Sequence, residues 1–161
     1  MSALSTDRPA STTRGLPAPL LVGGAFALST VANIAFQLGD MLFTDKDPHR
    51  PEGPIASIVS IAVVGVAALA IALAAGLPLA PHPARARVGA IVLGALSLVT
   101  VPLFWSGAPA VLGAAAAWLA GLARGGHPQP GAARAFGIIG FVVAILGVVA
   151  VFAGAISGLI G

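Results

Sequence analysis

The feature that most constrains this chain is a set of long apolar stretches from which charge is missing. No Asp, Glu, Lys or Arg occurs from Leu16 to Leu38, from Ile55 to Ala80, or from Ala135 to Ile160. Runs of 18 or more apolar residues read as bilayer-spanning helices, because in hydrocarbon a backbone can satisfy its own N–H and C=O groups only as a helix or a closed barrel. The rest of the chain does not supply a water-facing surface either. Only 8% of its residues are charged, against about 25% in an ordinary soluble domain. The fold class that follows is all-α: a polytopic integral membrane helical bundle.

Five spans are expected, at about 16–43, 55–80, 88–105, 109–123 and 135–160, in a single transmembrane domain covering 16–160. Residues 1–15 are rich in Ser and Thr and carry Asp7, Arg8 and Arg14, and so read as a disordered cytoplasmic tail. A cleaved signal peptide would need a short apolar core, whereas here apolar character persists to about Leu38. The segment 109–123 is the weakest span: at 1.5 Å per residue it covers only about 22 Å of a hydrocarbon core roughly 30 Å thick. The alternative is four spans, with 109–123 re-entrant or interfacial.

Arginine placement separates the two readings. With five crossings the inner side holds Arg8, Arg14, Arg85, Arg87, Arg124 and Arg134, and the outer side Lys46 and Arg50. That asymmetry obeys the positive-inside rule. If 109–123 merely dips, Arg124 and Arg134 move outside and the bias disappears. Pro102, Gly107 and Pro109 also break Val88–Ala123 as a single helix, which calls for a tight outer hairpin at Ser106–Ala108. The expected topology is multi-pass, N-terminus in and C-terminus out. The Ala, Gly and Arg usage, with Lys46 the only lysine, points to a bacterial cytoplasmic membrane.

Chemistry is scarce. The chain has no cysteine, hence no disulfide, thiolate metal site or thiol nucleophile. Its net charge of +3 is scattered rather than clustered, which argues against nucleic acid as a partner. Nucleophile elbows, phosphate loops, dinucleotide fingerprints and zinc-protease helices are all missing, so neither enzymatic activity nor a cofactor is expected. Asp45, Asp47, His49 and Glu52 lie close together between the first two spans, but without the glycine and distal glutamate of an EF-hand they read as a solvated turn rather than a metal site.

What the sequence does carry is packing. Spanning helices gain little hydrophobic free energy by associating in lipid and rely on small residues for close approach. In the fifth span Gly140, Gly147, Gly154 and Gly161 recur every seven residues, and Gly137, Ala144, Val151 and Gly158 complete the seam. A seven-residue repeat implies left-handed packing against another helix. Shorter small-residue tracks run through Gly65, Ala68, Ala72 and Gly76, and through Gly113, Ala117 and Gly121. The seams can pack within the chain, or serve self-association or docking to other membrane subunits.

The first span carries a polar stripe, Thr30, Asn33, Gln37 and Asp40, spaced to share one helix face. Unpaired polar groups in hydrocarbon are costly, so the stripe should face the bundle interior, a wet cavity or a partner. It serves either as interhelical hydrogen-bond glue or as a path for protons, ions or a small solute. Arg85, Arg87, Arg124 and Arg134 are candidate contacts for anionic lipid headgroups. The leading expectation is a small non-enzymatic accessory subunit packing through its Gly/Ala seams; the alternative is a small channel or transporter using the stripe.

Overall fold

A computed structural model describes residues 16–43, 54–124 and 127–160. Among them there is no β-strand, and five helices alternate in direction. Helix α1 spans Ala18–Phe43, α2 Pro54–Leu79, α3 Pro83–Val99, α4 Ala108–Leu119 and α5 Ala132–Ile160. A 3-10 turn, Val101–Ser106, joins α3 to α4. Three of the helices, α1, α2 and α5, are long and apolar enough to cross a membrane, whereas α4 is a shorter apolar helix.

The helix ends follow from local chemistry. Pro83 opens α3, where its missing N–H has no intrahelical partner to lose. This helix starts five residues before the expected boundary, because Arg85 and Arg87 are good helix formers and their charge does not end a helix. Pro102 then prevents the helix from continuing, and the chain tightens into the 3-10 turn. At the far end of α4, Gly121 adopts a left-handed conformation, and the N–H groups of Gly121 and Leu122 donate to the carbonyls of Trp118 and Ala117. That Schellman closure stops α4 at Leu119, short of the expected Ala123. Helix α5 starts at Ala132, three residues early, just after Pro130 and Gly131.

The short helix is the axis of the bundle. Helices α1, α2, α3 and α5 all pack on α4, and every residue from Ala108 to Leu119 except Trp118 is buried. Ala110, Val111, Ala114, Ala115, Ala116 and Ala117 are 0% exposed. A helix wrapped by other helices presents protein rather than solvent or lipid along its flanks, so its twelve residues are buried by their neighbours. Alanine keeps its radius small enough for four neighbours to close around it.

Close approach is greatest between α4 and α5. A Cβ built on Gly140 would lie 2.8 Å from the Gly113 carbonyl oxygen, and one built on Gly113 would clash with the backbone of Gly140. The two helices thus meet backbone to backbone. Ala144 is buried, and Gly137 and Gly147 face Ala120 and Ala110 of α4. The seam does not remain packed along its whole length, because α4 covers only part of it. A Cβ on Gly154 would meet nothing within 4 Å, and the surroundings of Gly158 and Gly161 lie outside the described residues.

One end of the bundle gathers the arginines. The Arg124 backbone N–H donates to the Leu16 carbonyl at 2.9 Å, which places the end of α4 beside the start of α1. A Cβ on Gly131 would lie 3.8 Å from the Arg87 guanidinium, so α3 and α5 start together. A Cβ on Gly89 would meet both Leu79 and Leu119, which adds the ends of α2 and α4. Arg85, Arg87, Arg124 and Arg134 are all exposed at this end. The expected charges of Arg8, Arg14, Lys46 and Arg50 fall outside the described residues.

Candidate functional site

The polar stripe of α1 meets the turn before α4. Midway along α1 the helix widens to a π-helical turn over Ala27–Val31. Two consecutive residues of this turn, Ser29 and Thr30, both face inward and are 0% exposed. The Thr30 hydroxyl donates to the Ser106 carbonyl oxygen at 2.9 Å. Ser29 donates to the Ala25 carbonyl at 2.6 Å, with a second, longer contact of 3.4 Å to the Gly107 carbonyl. One turn further along, the Asn33 amide donates to the Trp105 carbonyl.

Two consecutive carbonyls, those of Trp105 and Ser106, therefore each accept a hydrogen bond from α1, while the Gly107 carbonyl accepts the Val111 N–H at 3.1 Å in the first turn of α4. The first two need such a donor, because the 3-10 turn and its left-handed exit leave them without the helical partners they would otherwise have. The turn stabilises itself from within as well: the Ser106 hydroxyl donates to the Leu103 carbonyl at 2.6 Å and accepts the Ala108 N–H at 3.2 Å. Gly107 has φ of 77°, and a Cβ there would lie 2.5 Å from the Ser29 hydroxyl and 2.9 Å from the Thr30 nitrogen. Both backbone conformation and space require glycine at this position.

The stripe divides into two parts. Thr30 and Asn33 are engaged with the turn, Gln37 is half-buried, and Asp40 is exposed near the far end of α1. Hydroxyls on the other helices turn back on their own backbone: Ser60 donates to Ser57, buried Ser97 to Gly94, and Thr100 to Leu96. Among the described residues no buried side-chain nitrogen or oxygen lacks a partner. No three His, Cys, Asp or Glu side chains converge as metal ligands among them. The segment holding Asp45, Asp47, His49 and Glu52 lies outside the described residues.

Sequence spacing singled out Thr30 and Asn33, and the helix breakers singled out Ser106–Ala108 as a hairpin, but Ser29 was missed. Yet Ser29 lies four residues before Asn33, so at about 100° per residue it falls roughly 40° from that residue and on the same helix face, and the stripe could have been extended to it. Adjacent Ser and Thr facing a Pro- and Gly-rich turn elsewhere in the chain was the available signal, but nothing local indicates that the two segments meet.

Fold and site together define a class: an all-helical membrane-embedded bundle with a buried central helix, held to its longest neighbours by hydroxyl and amide donors and glycine contacts. Comparisons with protein families, with characterised proteins and with solved structures find no match for this chain.

Proposed function

We infer that this protein is a small non-enzymatic membrane subunit of structural or accessory role. One observation carries the reading: the deep polar donors of α1, Thr30 and Asn33, are directed at the backbone carbonyls of Ser106 and Trp105, and Ser29 donates to Ala25 of its own helix. Groups used in this way hold α1 against the α3–α4 hairpin and are not available to carry a solute. The axis of the bundle, where a pore would run, is filled by α4 at backbone contact with α5. A route entering at Asp40 and Gln37 would end at the Thr30–Ser106 hydrogen bond.

The proposed setting is a bacterial cytoplasmic membrane, with the N-terminus inside and the C-terminus outside. The exposed arginines at one end of the bundle favour that end as the cytoplasmic one. There they are suited to hold anionic lipid headgroups, each charge contributing about 1 kcal/mol near the surface. Alternation of five helices gives this orientation whether α3 and α4 traverse the bilayer in full or in part. Beyond the start of α4, the small-residue seam of α5 at Gly154 has space beside it, which favours a partner over a self-contained monomer. Blue-native electrophoresis of membranes in mild detergent tests the subunit reading: a defined complex larger than the 15.7 kDa chain is expected, and migration as a lone monomer would overturn it.

A further inference from the structure

The turn between α3 and α4 lies partway along the long helices instead of at their ends. Ser106 and Gly107 are level with Thr30 of α1 and Gly65 of α2, since a Cβ on Gly65 would touch Thr30 and lie 3.1 Å from the Ser106 carbonyl oxygen. On α5 the matching level is Gly147, which faces Ala110 in the first turn of α4. From the arginine end to this level is roughly 18 to 22 Å of helix, against a hydrocarbon core about 30 Å thick. Beyond it α1, α2 and α5 continue for about 16 to 20 Å. The exposed arginines fix the near boundary of the hydrocarbon close to the starts of α3 and α5, so the turn falls inside it.

Two features of the turn agree with that depth. Its outer surface is apolar and open: Val99 is 74% exposed, Phe104 52%, and Val101 and Leu103 are also exposed. A loop lying in water would place four large apolar side chains there, with no charged residue between Val88 and Gly121 to solvate them. In addition, the carbonyls of Trp105 and Ser106 accept donors from α1, and that of Gly107 accepts the Val111 N–H. Irregular backbone survives at membrane depth only where protein satisfies it, whereas a turn in water has no such need.

We propose that α3 and α4 form a re-entrant hairpin, which enters from the arginine end and turns back within the bilayer, and that lipid acyl chains of the opposite leaflet cover its apolar tip. The tip is continuous with the lipid-facing surfaces of its neighbours, where Val63 and Val66 of α2 and Leu146 and Val149 of α5 are exposed at the same level. The six-to-two asymmetry of arginine and lysine survives unchanged, because both ends of a re-entrant hairpin remain on the side where α3 begins. The inference goes beyond the subunit reading and borrows from it only the naming of the two leaflets.

The natural lack of cysteine makes the test direct. Phe104→Cys, Lys46→Cys and Gly131→Cys variants are exposed to a membrane-impermeant maleimide in intact cells and in inverted vesicles. Phe104→Cys is expected to lose labelling from both sides and regain it in detergent, while Lys46→Cys and Gly131→Cys each label from one side. Labelling of Phe104→Cys from the same side as Lys46→Cys would overturn the re-entrant hairpin. If the two control sites exchange sides, the orientation under Proposed function fails and the hairpin does not. A nitroxide on Phe104→Cys identifies the occupant: strong relaxation by oxygen and weak relaxation by a water-soluble nickel chelate is expected of acyl chains. Protection from both agents would mean that a second protein surface covers the tip, and would overturn the lipid assignment.

Discussion

The Thr30 hydroxyl on α1 donates a 2.9 Å hydrogen bond to the Ser106 carbonyl oxygen, joining the middle of one long helix to the turn that opens the buried one. Both partners are 0% exposed. In a low-dielectric interior the carbonyl has no water to replace a lost donor, so the bond acts as a fixed attachment between α1 and the α3–α4 hairpin.

Removing that donor should weaken the bundle measurably. Thr30→Val, which keeps the shape and loses the hydroxyl, is expected to lower stability by about 0.6 to 2 kcal/mol, the range for interhelical hydrogen bonds in membranes. Thr30→Ser should recover most of the loss. Retained helicity during titration of dodecylmaltoside micelles with SDS is the measurement. A Thr30→Val protein as resistant as the parent would show that the bond contributes nothing.

Asn33 and Thr30 act on neighbouring carbonyls of one turn, so their contributions should be coupled rather than additive. The Thr30→Val, Asn33→Leu double variant is expected to differ from the sum of the single variants in the same SDS titration. Strict additivity would mean that the two donors hold the turn independently.

Adding a methyl group at two glycines of α5 should have opposite outcomes. Gly140→Ala pushes on the Gly113 backbone, which cannot move without separating α4 from α5, and overpacking of this kind costs about 1 to 3 kcal/mol. Gly154→Ala meets open space within the chain and is expected to stay within about 0.5 kcal/mol of the parent in isolated micelles. If Gly154→Ala instead disperses the native complex while leaving the monomer's stability unchanged, the outer seam is the partner contact.

Gly107→Ala combines two penalties. A left-handed residue with a Cβ costs about 1 to 2 kcal/mol, and the added atom also displaces Ser29 and Thr30. It is expected to be less stable than Thr30→Val, since it strains the turn and disturbs its donors together. Thermal aggregation in detergent should rank the two variants in that order.

A packed axis also carries a transport expectation. Purified protein in liposomes should pass protons no faster than protein-free liposomes, and Asp40→Asn should change nothing, as followed with an entrapped pH dye. A leak that Asp40→Asn removes would restore the channel reading and displace the subunit one.

Much of this architecture was legible along the chain because it depends on local composition. Uncharged apolar runs dictate helices in lipid, prolines and glycines end them, and the heptad of small residues in α5 marks the face that meets α4 at Gly137, Gly140, Ala144 and Gly147. Arginine positions indicated which helix ends gather together, and the link from Leu16 to Arg124 agrees with that grouping. The segment 109–123 reads from the sequence as the weakest of five spans, with a re-entrant or interfacial segment as the alternative, and the structure has a short apolar helix there, Ala108–Leu119.

What the sequence could not supply was which segments meet at which depth. The centrality of α4 and the level of its turn opposite Thr30 both depend on helices far apart in the chain. Helix periodicity fixes the direction a side chain takes around its own axis, but not the neighbour waiting there or how far along the membrane normal that neighbour lies. Those relations are decided only when the backbones of Gly113 and Gly140 close together and the rest of the bundle settles around them.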